Sequence, residues 1–241
     1  GELQGRFRRE VELLAMLEHP AIARLYESGV VESAGGATPY LAMEFVDGQA
    51  LQAWAATSPA LRARVELLEA LCRAVHFAHT RGVIHRDLKP SNILVDGADQ
   101  PHIIDFGIAS ALDRSDLTRM TMVGSVLGTL PYMSPEQLDG SSRVDPRWDV
   151  YALGVIAYEL LGGSLPHPGL ADATSVVAAM KIVASRSPQP LGKLERETRG
   201  DLETVVRKAI AHDAGDRYGS AAEPADDPRR HTVRLANPLS S

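Results

Sequence analysis

The apolar positions fall into a few short strand patterns followed by longer helical ones. Leu3, Phe7, Leu14 and Leu17 share one helical face, with the carboxylate of Glu10 in the middle of the stripe, and Pro20 stops that helix. Short strands are expected near 22–31 and 40–46, joined by a turn-rich segment from Ser33 to Pro39. Leu61, Val65, Leu68, Cys72 and Val75 predict a helix over about 61–80. Ile93-Leu94-Val95 and His102-Ile103-Ile104 read as an antiparallel hairpin, with Asp96-Gly97 and Pro101 as turn and breaker signals. Residues 110–130 are polar and Thr/Ser-rich and predict a loop; from 136 onward the chain reads as helical. Val150 to Leu161 is the longest apolar run, too short to span a bilayer and interrupted by Glu159, so it predicts a buried helix. Residues 222–241, rich in Pro and charge, predict a frayed or disordered end. Strands first and helices later give an α+β class in two parts.

Composition narrows the function classes. The 241 residues are enough for a real core, and 44% hydrophobic with 23% charged residues is ordinary for a globular protein. A net charge of −6 gives no support for a nucleic-acid partner, and Arg6, Arg8 and Arg9 read as a solvated helix face. One cysteine, Cys72, excludes an internal disulfide or a cysteine-rich zinc site. The chain shows no signal peptide and no membrane segment, and its expected compartment is the cytoplasm.

The candidate chemistry lies at the open end of the hairpin. Residues at such an end lie side by side, with Cα atoms ~5 Å apart, so Asn92 and Asp105 are expected to point into one space. An amide oxygen and a carboxylate suit a hard cation such as Mg2+. The plain alternative is a polar mouth bonded to itself. A third polar group, Asp87, stands five residues before Asn92, and Gly107 after Asp105 permits a sharp turn.

The flanking sequence resembles eukaryotic-like protein kinases of the bacterial Ser/Thr type, from residue 1 to about 219. HRDLKPSN at 85–92 is similar to the catalytic loop and DFG at 105–107 to the metal-binding segment. GTLPYMSPE at 128–136 is similar to the end of the activation segment, DVYALGV at 149–155 to the helix that organises the large lobe, and Asp216-Arg217-Tyr218 to a late Arg motif. The resemblance implies a two-lobe kinase fold: a small-lobe remnant over 1–46, a mainly helical large lobe over 47–219 and a tail over 220–241. It implies a protein serine/threonine kinase using ATP and Mg2+, with Mn2+ as an alternative metal. Asp87 would orient the substrate hydroxyl and accept its proton, Lys89 would offset phosphate charge, and Asn92 and Asp105 would hold the metal. Lys89 and Thr129 are the types carried by Ser/Thr-directed relatives. Met43 resembles the gatekeeper and Glu44-Phe45-Val46 the hinge beside adenine, with Leu94 beneath the ring. Leu14, Leu25, His85 and Phe106 resemble the apolar column between the lobes, anchored by Asp149, and Glu136 with Arg217 a buried ion pair. Arg86 would receive a phosphate on Thr118, Thr121 or Ser125, and trans-autophosphorylation would supply it. The implied partner is a protein carrying Ser or Thr; a membrane tether in the parent protein is compatible with the resemblance.

Two departures stand against this pattern. The Gly-rich loop and the Lys-bearing strand are missing ahead of Glu10, the family's partner for that Lys, so the chain is expected to be a fragment with an incomplete small lobe. Pro224 and Pro228 stand where a final helix is expected, which should be broken or absent. Two readings compete with an active kinase: a pseudokinase or scaffold of the same fold, and a small-molecule kinase sharing these residues.

Overall fold

The computed structural model describes residues 11, 13–33, 36–106, 128–140, 144–170, 172–185 and 187–226. Residues 11 and 13–15 are helical and lead to the first strands. β1 (Leu25–Ser33) and β2 (Gly36–Met43) form an antiparallel hairpin, Leu25 opposite Met43 and Val31 opposite Thr38, with a bulge between Leu25 and Glu27. The segment from Ser33 to Pro39, expected as a loop, is therefore largely strand. Pro39 is tolerated because, among the described residues, this sheet has two strands and both are edges.

A second sheet, ordered β3-β4-β5, comprises β3 (Gly48–Ala50), β4 (Ile93–Asp96) and β5 (Pro101–Ile103), all antiparallel. Residues 21–23 run beside β5: Ile103 N–H donates to Ala21 and Ala23 N–H to Ile103, both at 2.9 Å. The register corrects one expectation. Ile93 pairs with Ile103 and Leu94 with His102, so Asn92 stands opposite Ile104, whose N–H donates to the Asn92 carbonyl at 2.9 Å. Asp105 lies one residue beyond the pair, where the backbone turns left-handed at φ 57°.

The remaining chain is helical: α1 (Leu51–Ala56), α2 (Leu61–His79), α3 (Pro135–Asp139), α4 (Arg147–Gly162), α5 (Val176–Ser185), α6 (Leu191–Leu194), α7 (Asp201–Ala209) and α8 (Ala222–Asp226). α4 is the axis of the core and is buried on nearly every side, which explains its long apolar run. Its mid-helix Gly154 permits close approach of α7: a Cβ there would lie 2.7 Å from Ile210 and 2.8 Å from Ala209. The one carboxylate in the run, Glu159, accepts a hydrogen bond from the hydroxyl of the buried Tyr132 at 2.7 Å. Cys72 is buried on α2 as expected, and burial pushes its thiol up to about 12, far from reactive.

The end of the lobe also differs from expectation. α8 is one turn long, with Pro224 and Ala225 buried, rather than absent, and it packs on α2. Pro224 is its third residue, in the first turn, where backbone N–H groups have no partner within the helix, so its ring removes no hydrogen bond. Among the described residues no helix is long and apolar enough to cross a membrane.

Candidate functional site

The site begins where α2 ends. Gly82, at φ 77°, turns the chain out of the helix, and residues 83–92 form a loop closed by a single helical turn, Pro90–Asn92. Arg86 holds a left-handed backbone, φ 66°, which costs a non-glycine residue of order 1–3 kcal/mol unless its surroundings enforce it. Asp149, in the first turn of α4 and 1% exposed, provides part of that enforcement. Its carboxylate accepts from His85 N–H at 2.8 Å, Arg86 N–H at 2.9 Å and, at 2.8 Å, His79 Nε2. Burial alone would raise the Asp149 carboxyl; the His79 bond and the charges of His79 and His85, with the His85 N–H, outweigh it and hold the group below the usual carboxylate range.

Three polar side chains converge beyond this anchor. Lys89 Nζ bridges Asp87 Oδ2 at 3.0 Å and Thr129 Oγ1 at 2.8 Å. Asn92 Nδ2 donates to the Asp87 carbonyl at 2.9 Å, which fixes the amide orientation because a carbonyl only accepts. Asn92 Oδ1 is left with one long contact, 3.4 Å from Ser91 Oγ. Asp105 is exposed at the end of β5. A spare amide oxygen and an exposed carboxylate fit a hard cation that takes one or two protein oxygens and completes its shell with phosphate and water. Among the described residues no group of three or more His, Cys, Asp or Glu forms a larger metal cage.

Behind Asp105 lies a narrow hollow lined by Leu14, Leu17, Leu25, Met43 and Phe106. Phe106 packs against His85 with ring centroids 4.7 Å apart. Of the residues expected in the apolar column, Leu14, Leu25 and Phe106 line this hollow, Phe106 meets His85, and Asp149 accepts from the His85 N–H. Met43 stands half-buried at the end of β2; Glu44 N–H donates to the Arg24 carbonyl at 2.8 Å, and Phe45 beside it is 88% exposed. Leu94, half-buried in β4, pairs with Ala50 and His102. Glu136 and Arg217 meet bidentately at 2.6 and 2.8 Å. Glu10, Thr118, Thr121 and Ser125 lie outside the described residues.

His85 carries a pH consequence. Burial lowers its pKa from the ordinary 6.5, against the opposing charges of Asp149 and Asp87. The unfolded chain then binds a proton that the folded one refuses, so stability falls as pH drops from about 6.5 towards the lowered value. Asp149, shifted down, contributes stability above its unfolded pKa near 4 that is lost as pH falls through its folded pKa. We expect His85→Phe to flatten the upper limb only, measured as unfolding free energy by urea titration between pH 5 and 7. An unchanged slope would assign that limb to another group.

The sequence matches the protein kinase domain family over residues 2–227. The chain belongs to this family. The kinase domain is 39% identical over 224 residues to the serine/threonine-protein kinase PknB of Mycobacterium leprae, covering 92% of this chain and 35% of that protein. A probable serine/threonine-protein kinase of Streptomyces coelicolor is 36% identical over 222 residues, 91% of this chain and 32% of that protein. The kinase domain thus spans about a third of the length of these curated relatives. In structure it resembles the kinase domain of Mycobacterium tuberculosis PknI, with TM-score 0.70, 28% identity and coverage of 96% of this chain and 80% of that one.

Sequence reasoning missed three polar residues that brace the loop or the core around the candidate site. His79 is the last residue of α2 and carries no spacing signal. Tyr132 is one aromatic among several. Gln137 was legible: Ser134-Pro135-Glu136-Gln137 is a capping-box signature, and both of its bonds are present.

Proposed function

We propose that this kinase domain transfers the γ-phosphoryl group of ATP to serine and threonine hydroxyls of proteins. The observation that carries the reading is Lys89, held between Asp87 and Thr129 at 3.0 and 2.8 Å. It ties the HRD loop to the GTLPYMSPE segment, the part that in this family faces the substrate. In the proposed reaction the substrate oxygen forms a bond to phosphorus as the bond to the β-phosphate oxygen breaks, and ADP leaves. Asp87 orients the hydroxyl and takes its proton, while Lys89 offsets charge on the transferring group. Asn92 Oδ1 and the Asp105 carboxylate would hold Mg2+, which when bound neutralises phosphate charge. Backbone groups of Glu44 and Val46 would pair with adenine between Met43 and Leu94. Such catalysis depends on rigid placement, and the chain supplies it through Asp149 and the Asn92 bond to Asp87.

The test uses the full-length protein with radiolabelled ATP and Mg2+, offering casein and an aminoglycoside in parallel. Label in casein is expected. Label only in the aminoglycoside would favour a small-molecule kinase, and no label in either would favour the scaffold reading.

A further inference from the structure

We propose that Gln137 is a positioning residue that holds the peptide leading into Asp87; the inference rests on the kinase reading above. Gln137 is half-buried at the third position of α3 and has two hydrogen bonds that point in different directions. Its Oε1 accepts from Ser134 N–H at 3.0 Å, which closes the capping box. Its Nε2 leaves the helix and donates to the Arg86 carbonyl at 2.9 Å, across 51 residues of sequence.

That carbonyl belongs to the peptide unit joining Arg86 to Asp87, so fixing it fixes the plane from which the Asp87 side chain departs. Arg86 is also the left-handed residue of the loop, at φ 66°. A backbone in that region persists only when it is over-determined. Its N–H is held at 2.9 Å by Asp149 from the core; its C=O is held by Gln137 from the segment that follows Thr129. The first clamp is part of the buried axis. The second depends on α3, so the conformation at Asp87 is tied to the seating of residues 129–139. The Lys89–Thr129 bond ties the same two segments at a second point, 2.8 Å long. Gln137 touches neither the reacting atoms nor the metal-seat residues, and acts through the backbone.

The two bonds of one amide can be separated. Gln137→Glu keeps an oxygen for Ser134 N–H, at a helix N-terminus where a carboxylate is favoured, but has no hydrogen to give Arg86. Ser134→Ala strikes the capping box from the other side: it removes the hydroxyl that accepts from the Gln137 backbone N–H at 3.4 Å and leaves both bonds of the Gln137 side-chain amide in place. In the full-length protein we expect Gln137→Glu to lower Tm by no more than Ser134→Ala does, with kcat reduced about tenfold, the rate equivalent of one lost hydrogen bond, and KM for ATP unchanged. Amide exchange at Asp87 and Leu88 should quicken. Ser134→Ala should lower Tm with kcat retained. The inference is overturned if Gln137→Glu keeps wild-type kcat and exchange, or if kcat in both variants merely follows Tm. Wild-type protein that transfers no phosphate would refute the kinase reading alone, and the exchange rates would still decide the role of Gln137.

Discussion

Replacing Asp87 by Asn should lower the phosphoryl-transfer rate by about 10²–10⁴-fold, the range for losing a positioned general base. The substitution is nearly isosteric, and its amide oxygen still accepts from Lys89, now 3.0 Å from Asp87 Oδ2. The Asn92 side chain binds the Asp87 carbonyl, which the substitution leaves alone. The fold and the proposed metal seat should therefore survive, and Tm and the KM for ATP should stay near wild type while kcat falls. An amide cannot take the proton of the incoming hydroxyl, so the loss falls on the chemical step. Single-turnover transfer to casein measures it directly. A variant within tenfold of wild type would mean that Asp87 only braces Lys89 and that another group manages the proton.

Replacing Arg217 by Leu should destabilise the domain by about 3–5 kcal/mol, the usual cost of removing one partner from a buried pair. The Arg217 side chain is 0% exposed and Glu136 19%. The guanidinium binds Glu136 with two nitrogens, donates to the Ala211 carbonyl at 2.7 Å and the His212 carbonyl at 2.8 Å, and lies 4.9 Å from the Tyr151 ring centre. Leucine would fill part of the space and leave a carboxylate and two carbonyls unpaired, so Tm should drop by on the order of 10 °C. Arg62 and Glu66 provide the contrast. They meet at 2.8 Å with side chains 66% and 53% exposed, where solvent screens the attraction and the pair adds little to stability. Calorimetry on the two arginine variants separates these cases. A loss below about 1 kcal/mol for Arg217→Leu would remove this pair as a brace of the lobe.

Much of the site was legible because its chemistry is carried by short runs of sequence. HRDLKPSN and DFG name the polar groups from the sequence alone, and the apolar run from Val150 to Leu161 already reads as a buried helix. What the sequence left open is relative placement. Strands of three or four residues, such as Ile93–Asp96 and Pro101–Ile103, show too little alternation to fix their register, so Asn92 was set opposite Asp105 when it faces Ile104. The segment from Ser33 to Pro39 carries turn residues but is drawn into the hairpin by pairing that its local composition does not encode. Pro224 looked like a helix breaker because its position within the turn was unknown. The His79–Asp149 contact, spanning 70 residues, leaves no local signal at either end.

The claim at the centre of this account is that Asp87, Lys89 and Thr129 serve transfer to hydroxyls of serine and threonine. The most direct measurement is peptide mass spectrometry of casein after incubation with the full-length protein, ATP and Mg2+, with the Asp87→Asn variant beside it. The account predicts phosphoserine and phosphothreonine in the wild-type sample and a strong loss of both in the variant. Phosphotyrosine alone, or equal modification in the two samples, would contradict it.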